Sequence, residues 1–262
     1  MPYDTLVYEK TGAVGTGAVG IITISRPGAA NATNVQLARE LTDICAEINR
    51  DEETRVVIIT GAGDKAFCAG VDMSELTSVI GAKQRTELLS TAVPVAGLTS
   101  PVIAAINGDA LGQGLELALA CDLRIAAERA RLALAHIVSG LIPWDGATQR
   151  LPRLVGKGKA MEMLLTGESI DAVEACRIGL VSRVVRQQEL MPLAMDMAQA
   201  MASKAPLALK YAKEAIRNGL DLTLEQGLRL EADLYFLLQT TEDRTEGIRA
   251  FLEKRPPQFR GK

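Results

Sequence analysis

Aromatic residues are scarce in this chain of 262 residues, which has one Trp, four Tyr and four Phe. That scarcity excludes the stacking platforms on which single-stranded nucleic acids bind. Histidine is scarcer still: His136 stands alone and shares no metal-ligand spacing with Cys45, Cys68, Cys121 or Cys176, so no metal centre is expected. The four cysteines are widely spaced and form no C-x-x-C pair, which leaves buried, reduced thiols in a cytoplasmic protein as the expectation. No run of about 18 apolar residues occurs, and the opening MPYDTLVYEK lacks a basic stretch followed by an apolar one. Neither a membrane span nor an export signal is expected. Charge of one sign is missing too: 29 Lys and Arg stand against 32 Asp and Glu, net −3 and dispersed, so there is no footprint for a nucleic-acid backbone.

What remains is 48% hydrophobic and 23% charged, the profile of a globular enzyme-sized chain with one large α/β domain and room for a helical appendage. Residues 19–25 (VGIITIS), 56–60 (VVIIT) and 102–106 (VIAAI) are short β-branched runs that read as buried strands. Helical patterning follows each. After Asn34, a predicted N-cap, Leu37, Leu41, Ile44, Cys45 and Ile48 fall on one helix face. From about residue 187 the pattern becomes consecutive amphipathic helices, predicted over 187–202, 205–218, 222–238 and 241–254. The run Gly15-Thr16-Gly17-Ala18-Val19-Gly20 is a literal G-x-G-x-x-G, but a strand follows it where a dinucleotide site needs a helix, so it reads as a turn. Gly156-Lys157-Gly158-Lys159 lacks phosphate-loop spacing and reads as a helix boundary.

Two small-residue loops carry the chemistry. Ala66-Phe67-Cys68-Ala69-Gly70-Val71-Asp72 follows one predicted strand; Asn107 to Glu116 follows another and opens a helix. Amides at a helix start carry positive partial charge, and two loops of this kind can aim two N–H groups at one carbonyl oxygen, the arrangement that stabilises an enolate. Taken singly, each loop reads more readily as a simple turn.

In order along the chain come Arg26-Pro27 with Asn31-Ala32, Lys65 to Asp72, Pro101 to Gly108, Glu116-Leu117-Ala118 with Cys121-Asp122, and Gly140-x-Ile142-Pro143 with Thr148 to Leu151. Leu165-Thr166-Gly167, Ala175 to Val181 and Ala250 to Arg255 complete the series. Over nearly its whole length the chain resembles the crotonase (enoyl-CoA hydratase/isomerase) superfamily. The resemblance implies an α/β fold, a crotonase-like spiral of ββα repeats over residues 1–200, and a C-terminal helical trimerisation region over 201–262. It also implies a homotrimer or dimer of trimers and an acyl-CoA thioester substrate, with coenzyme A as part of the substrate and no other cofactor.

By position, the resemblance gives the oxyanion amides to Val71 and Gln113, and the coenzyme A path to Ala69, Val71, Asp72, Met73 and Ser74. Gln113 replaces a glycine usual in the family. Glu116 matches the first catalytic glutamate, although by itself it reads as an exposed first-turn residue. The second glutamate falls on His136, which alone reads as a core histidine, yet an imidazole can also hold or deprotonate water. Trp144 and Asp145 stand where most relatives have small residues: Trp144 as a pocket wall, Asp145 as a catalytic or water-binding group or a helix N-cap. Asp145-Gly146-Ala147-Thr148 also reproduces a dehalogenase context, but the partner histidine of those enzymes is missing. Hydration of a 2-enoyl-CoA is the expected reaction. A double-bond isomerase using Glu116 alone and a non-catalytic acyl-CoA-binding protein are the alternatives.

Overall fold

A computed structural model describes residues 3–12, 17–76 and 87–262. Strands β1 (Leu6–Thr11) and β2 (Ala18–Ile24) form an antiparallel hairpin, with Leu6 opposite Ile24 and Thr11 opposite Val19. Gly15 and Thr16 lie outside the described residues; from Ala18 the run enters a strand, as expected. β3 (Thr54–Gly61), β5 (Val102–Ile106), β7 (Leu123–Ala127) and β10 (Arg183–Val185) extend the sheet in parallel in the order β1-β2-β3-β5-β7-β10. A second sheet takes the short strands β4 (Ala66–Cys68), β6 (Asp109–Leu111), β8 (Arg131–Ala133) and β9 (Ile170–Asp171) in that order. Each turn of the chain therefore lays one strand in the large sheet and the next in the small one. β3–β4, β5–β6 and β7–β8 are successive repeats of that spiral.

The continuous β-branched runs follow from burial on both faces of the large sheet. Val57, Ile59, Ala104 and Ile106 face one core with α1 (Val35–Arg50), while Val56, Ile58, Ile103 and Ala105 face the other. Asn34 caps α1 by accepting from the Leu37 amide at 2.9 Å, and the predicted apolar face is buried. The short helices α2 (Met73–Leu76) and α3 (Ala92–Ala96) precede α4 (Gln113–Ala120), which continues directly from β6. α5 (Ala147–Thr166) is interrupted at Gly156, whose φ of +79° breaks the helix where the boundary was expected. α6 (Ala172–Arg177) leads to β10, and α7 (Gln187–Ala202) then lays Leu190, Ala194, Ala198 and Ala202 on the rear face of the sheet. Alanine at i, i+4 spacing lets that helix approach the strands closely.

α8 (Pro206–Gly219), α9 (Leu224–Leu238) and α10 (Glu242–Glu253) match the predicted series. Thr223 and Thr241 cap the last two, which fixes their starts. Lys213 anchors α8 to the core through Asp122 at 2.7 Å and the Ser100 carbonyl at 2.8 Å. Arg55, on the rear of the sheet, donates to the Ala202 and Phe259 carbonyls and so ties the chain end back to β3. Leu220, Leu224, Tyr235, Phe236, Phe251 and Leu252 remain exposed on this helical region. No helix among the described residues is long and apolar enough to cross a membrane.

Cys45, Cys68 and Cys121 are buried, as expected, but Cys176 is exposed on α6. An apolar environment pushes the Cys45 and Cys121 thiols up to about 12, and burial raises Cys68 as well, so all three stay protonated and shielded. A thiol reagent at neutral pH should therefore titrate one cysteine in the native protein and all four after denaturation. Replacing Ile58 by Ala, which empties the space between β3 and α7, should cost about 2–5 kcal/mol in denaturant unfolding.

Candidate functional site

The first loop leaves β4 at Cys68 and is held on its outer side by the segment from Arg26 to Thr33. Ala69 N donates to Ala30 O at 3.1 Å, Thr33 N to Gly70 O at 2.7 Å, and Asp72 N to Thr33 O at 2.7 Å. Asn31 spans both strands' ends, donating from Nδ2 to Ala62 O at 3.1 Å and Ala66 O at 2.8 Å. Arg26 donates to the Ala32 carbonyl and reaches Asp72 Oδ2 at 3.2 Å. The Arg26–Asn31 motif is thus a brace for the loop. Asp72 also accepts from the Ser74 hydroxyl and amide, and these bonds, with Arg26, hold its carboxyl below the usual carboxylate range. Met73 and Ser74 are exposed at the start of α2.

The second loop is pinned by Asn107, whose Oδ1 accepts from Gly61 N at 2.9 Å and whose Nδ2 donates to Gly63 O at 2.9 Å. It lies directly against the first loop. A Cβ on Gly114 would stand 2.0 Å from Cys68 O, and one on Gly70 would stand 3.0 Å from Leu111 O and 3.7 Å from Gln113 N. Gly70 also takes a φ of +99°, which side chains rarely adopt. The amides of Val71 and Gln113 meet no acceptor among the described residues, and Gln113 opens α4, where the helix end adds positive partial charge.

One turn further along α4, Glu116 is completely buried, against its reading as an exposed first-turn residue. Its Oε1 accepts from Asp145 N at 2.8 Å and Ala147 N at 3.1 Å. Its Oε2 lies 3.3 Å from His136 Nε2 and forms no hydrogen bond among the described residues. The short 3-10 turn Ala135–Ser139 that follows β8 carries His136, whose Cε1–Nε2 edge also faces Gly112. Trp144 stands edge-on to the imidazole, ring centres 5.5 Å apart.

Asp145 is committed elsewhere. Its carboxylate accepts from Ser90 Oγ at 2.6 Å, Thr91 N at 2.8 Å and Ala92 N at 2.8 Å, with Gln113 Nε2 at 3.4 Å. It therefore caps α3 across more than fifty residues of sequence, and not the helix that follows it. Its carbonyl accepts from Arg150 at 2.7 Å, a guanidinium whose acidity is raised first of all by burial. Ser90, Thr91 and Arg150 were not legible as site residues, because nothing local in their sequence marks a partner so distant.

Gln113 Oε1, Glu116 Oε2, His136 Nδ1 and Trp144 Nε1 are the buried side-chain polar atoms without a hydrogen-bond partner among the described residues. Folded proteins seldom tolerate such atoms, and their residues lie around Glu116: His136 faces it at 3.3 Å, Trp144 stands against His136, and Gln113 opens its helix. The same residues include no group of three or more His, Cys, Asp or Glu placed to hold a metal ion.

The sequence model of the enoyl-CoA hydratase/isomerase family matches residues 15–262. The short-chain-enoyl-CoA hydratase of Clostridium acetobutylicum is 40% identical over 267 residues, covering 97% of both chains. The (E)-benzylidenesuccinyl-CoA hydratase of Thauera aromatica is 43% identical over 245 residues, covering 93% of this chain and 96% of that one. Among solved structures, the enoyl-CoA hydratase of Bacillus anthracis superposes with a TM-score of 0.93 at 43% identity, over 99% of this chain and 100% of that one. With its spiral of paired strands, its two apposed loops and its buried glutamate, the chain belongs to the enoyl-CoA hydratase/isomerase family of enzymes.

Proposed function

We propose that this site adds water across the double bond of a 2-enoyl-CoA thioester. One observation carries the reading: Glu116 Oε2, locked by amide bonds to its sister oxygen, stands 3.3 Å from His136 Nε2, and Glu116 lies on the helix opened by Gln113, whose amide, like that of Val71, meets no acceptor among the described residues. The thioester oxygen takes hydrogen bonds from the Val71 and Gln113 amides, which stabilise the negative charge as it develops there. A water gripped by Glu116 Oε2 and His136 Nε2 attacks the β-carbon. Glu116 takes the water's proton as its OH bonds to the β-carbon and passes that proton to the α-carbon, while His136 holds the water, so that H and OH add to one face and the enolate collapses to the 3-hydroxyacyl thioester.

Ala69, Val71, Asp72, Met73 and Ser74 line the coenzyme A path in this reading, with Asp72 serving chiefly to hold the loop against Arg26. Coenzyme A belongs to the substrate, and neither metal nor further cofactor takes part. Asp145 is a positioning residue: both its oxygens are occupied, while its own amide fixes Glu116. The exposed apolar side chains of α8 to α10 are subunit contacts of a homotrimer or dimer of trimers, since surface of that kind seldom stays open in a monomer. The setting is the cytoplasm.

But-2-enoyl-CoA should lose its conjugated thioester absorbance with this enzyme, whereas conversion of a 3-enoyl-CoA with a gain of absorbance would identify an isomerase. Glu116→Gln should lower kcat by about 10²–10⁴-fold with a smaller effect on KM; unchanged turnover removes Glu116 from the mechanism. His136→Glu should retain more activity than His136→Ala, because it restores a proton acceptor at the water. Asp145→Ala strands two buried amides of α3 and should cost about 2–4 kcal/mol of stability, read from the denaturant midpoint.

A further inference from the structure

We propose that the substrate's acyl group carries a hydroxyl beyond the β-carbon, recognised by Gln113, Trp144 and the inner nitrogen of His136. The inference rests on the thioester reading of the site and adds the substrate class to it. Gln113 is 1% exposed. Its Nε2 donates to the Leu89 carbonyl and lies 3.4 Å from Asp145 Oδ2, so turning the amide over would set its oxygen against two acceptors. Oε1 is therefore fixed as an acceptor, and no donor among the described residues meets it. Trp144 Nε1 can only donate and is buried without an acceptor. His136 Nδ1 also has no partner among the described residues and donates when it carries the ring proton, while Nε2 of that ring faces Glu116.

Their residues border the reacting pair: Gln113 opens the helix that carries Glu116, and the Trp144 ring stands 5.5 Å from that of His136. A plain alkenyl chain would cover all three and leave them unpaired, which is the costly outcome. A carboxylate offers acceptors only and opposes Gln113 Oε1. A hydroxyl has one O–H and two lone pairs, the complement of one fixed acceptor, one fixed donor and an imidazole nitrogen that can donate. A proton held at Nδ1 for that bond leaves the Nε2 lone pair facing the water, so recognition of the acyl group and the grip on the water reinforce one another. The similarity of this chain to hydratases named for quite different acyl groups leaves selectivity to local chemistry of this kind.

The test compares 4-hydroxybut-2-enoyl-CoA and 5-hydroxypent-2-enoyl-CoA with but-2-enoyl-CoA, pent-2-enoyl-CoA and the carboxylate-bearing pent-2-enedioyl-CoA. KM and kcat are measured on the full-length wild type and on Trp144→Phe, which keeps a ring and loses the N–H. Dissociation constants for the same thioesters are measured on Glu116→Gln. At one chain length the hydroxyl should tighten KM and Kd by about tenfold, equivalent to about 1.4 kcal/mol, and Trp144→Phe should abolish that preference. Equal or tighter binding of the hydrocarbon at both lengths, preference for the carboxylate, or a preference that survives both Trp144→Phe and Gln113→Leu overturns the proposal. Absence of hydration with every thioester, while Glu116→Gln still separates the hydroxyl pairs, would sink the reaction and support the recognition.

Discussion

Where Gly114 passes the Cys68 carbonyl, a methyl group would stand 2.0 Å from that oxygen, and the rest of the site depends on that contact. Backbone meets backbone there with no side chain between, so the turn after β4 and the start of α4 become one surface. Gly70 then lies beside Gln113 N, and the unpaired amides of the two loops share a neighbourhood that neither loop could create alone. Both loops descend from adjacent parallel strands of the small sheet. The spiral architecture thus converts a repeat of the chain into a pair of hydrogen-bond donors.

Rigidity around that surface comes from buried polar side chains whose partners are far away in sequence. Asn31 and Asn107 both donate to the Ala66 carbonyl, fixing the entry to the first loop. Asp145 joins α3, the Gln113 side chain and the Glu116 carboxylate through its oxygens and its own amide. Such networks stabilise only when every member is satisfied. Here the scaffold atoms are satisfied, and the unsatisfied ones among the described residues belong to Gln113, Glu116, His136 and Trp144. The same residue, Gln113 or Glu116, thus bonds one atom to the scaffold and leaves the other unpaired.

Local signals in the sequence foretold most of the architecture. Strands β3 and β5 were visible as β-branched runs because both faces of the large sheet are buried, and α1 because its cap and apolar face agree. The late helices were legible from their amphipathic period, whereas the caps at Thr223 and Thr241 emerge only in the structure. The two loops stood out through small residues, whose reason is the close approach at Gly114 and Gly70. The Asp145 clamp was not legible, since Ser90 and Thr91 have no special pattern and meet it only through the tertiary fold. Cys176 went against the expected burial because the short helix α6 turns that side outward. The Gln113 side chain, uninterpretable from sequence, acquires meaning only once both its amide hydrogens are accounted for.

A carbonyl stretch measures most directly whether the Val71 and Gln113 amides act together. A saturated acyl-CoA labelled with carbon-13 at the thioester carbonyl, bound to the Glu116→Gln variant, can be followed by isotope-edited infrared difference spectroscopy. Two converging donors polarise the bond, so its frequency should fall clearly below that of the same thioester free in water. A bound thioester whose carbonyl frequency equals or exceeds the value in water would contradict the account.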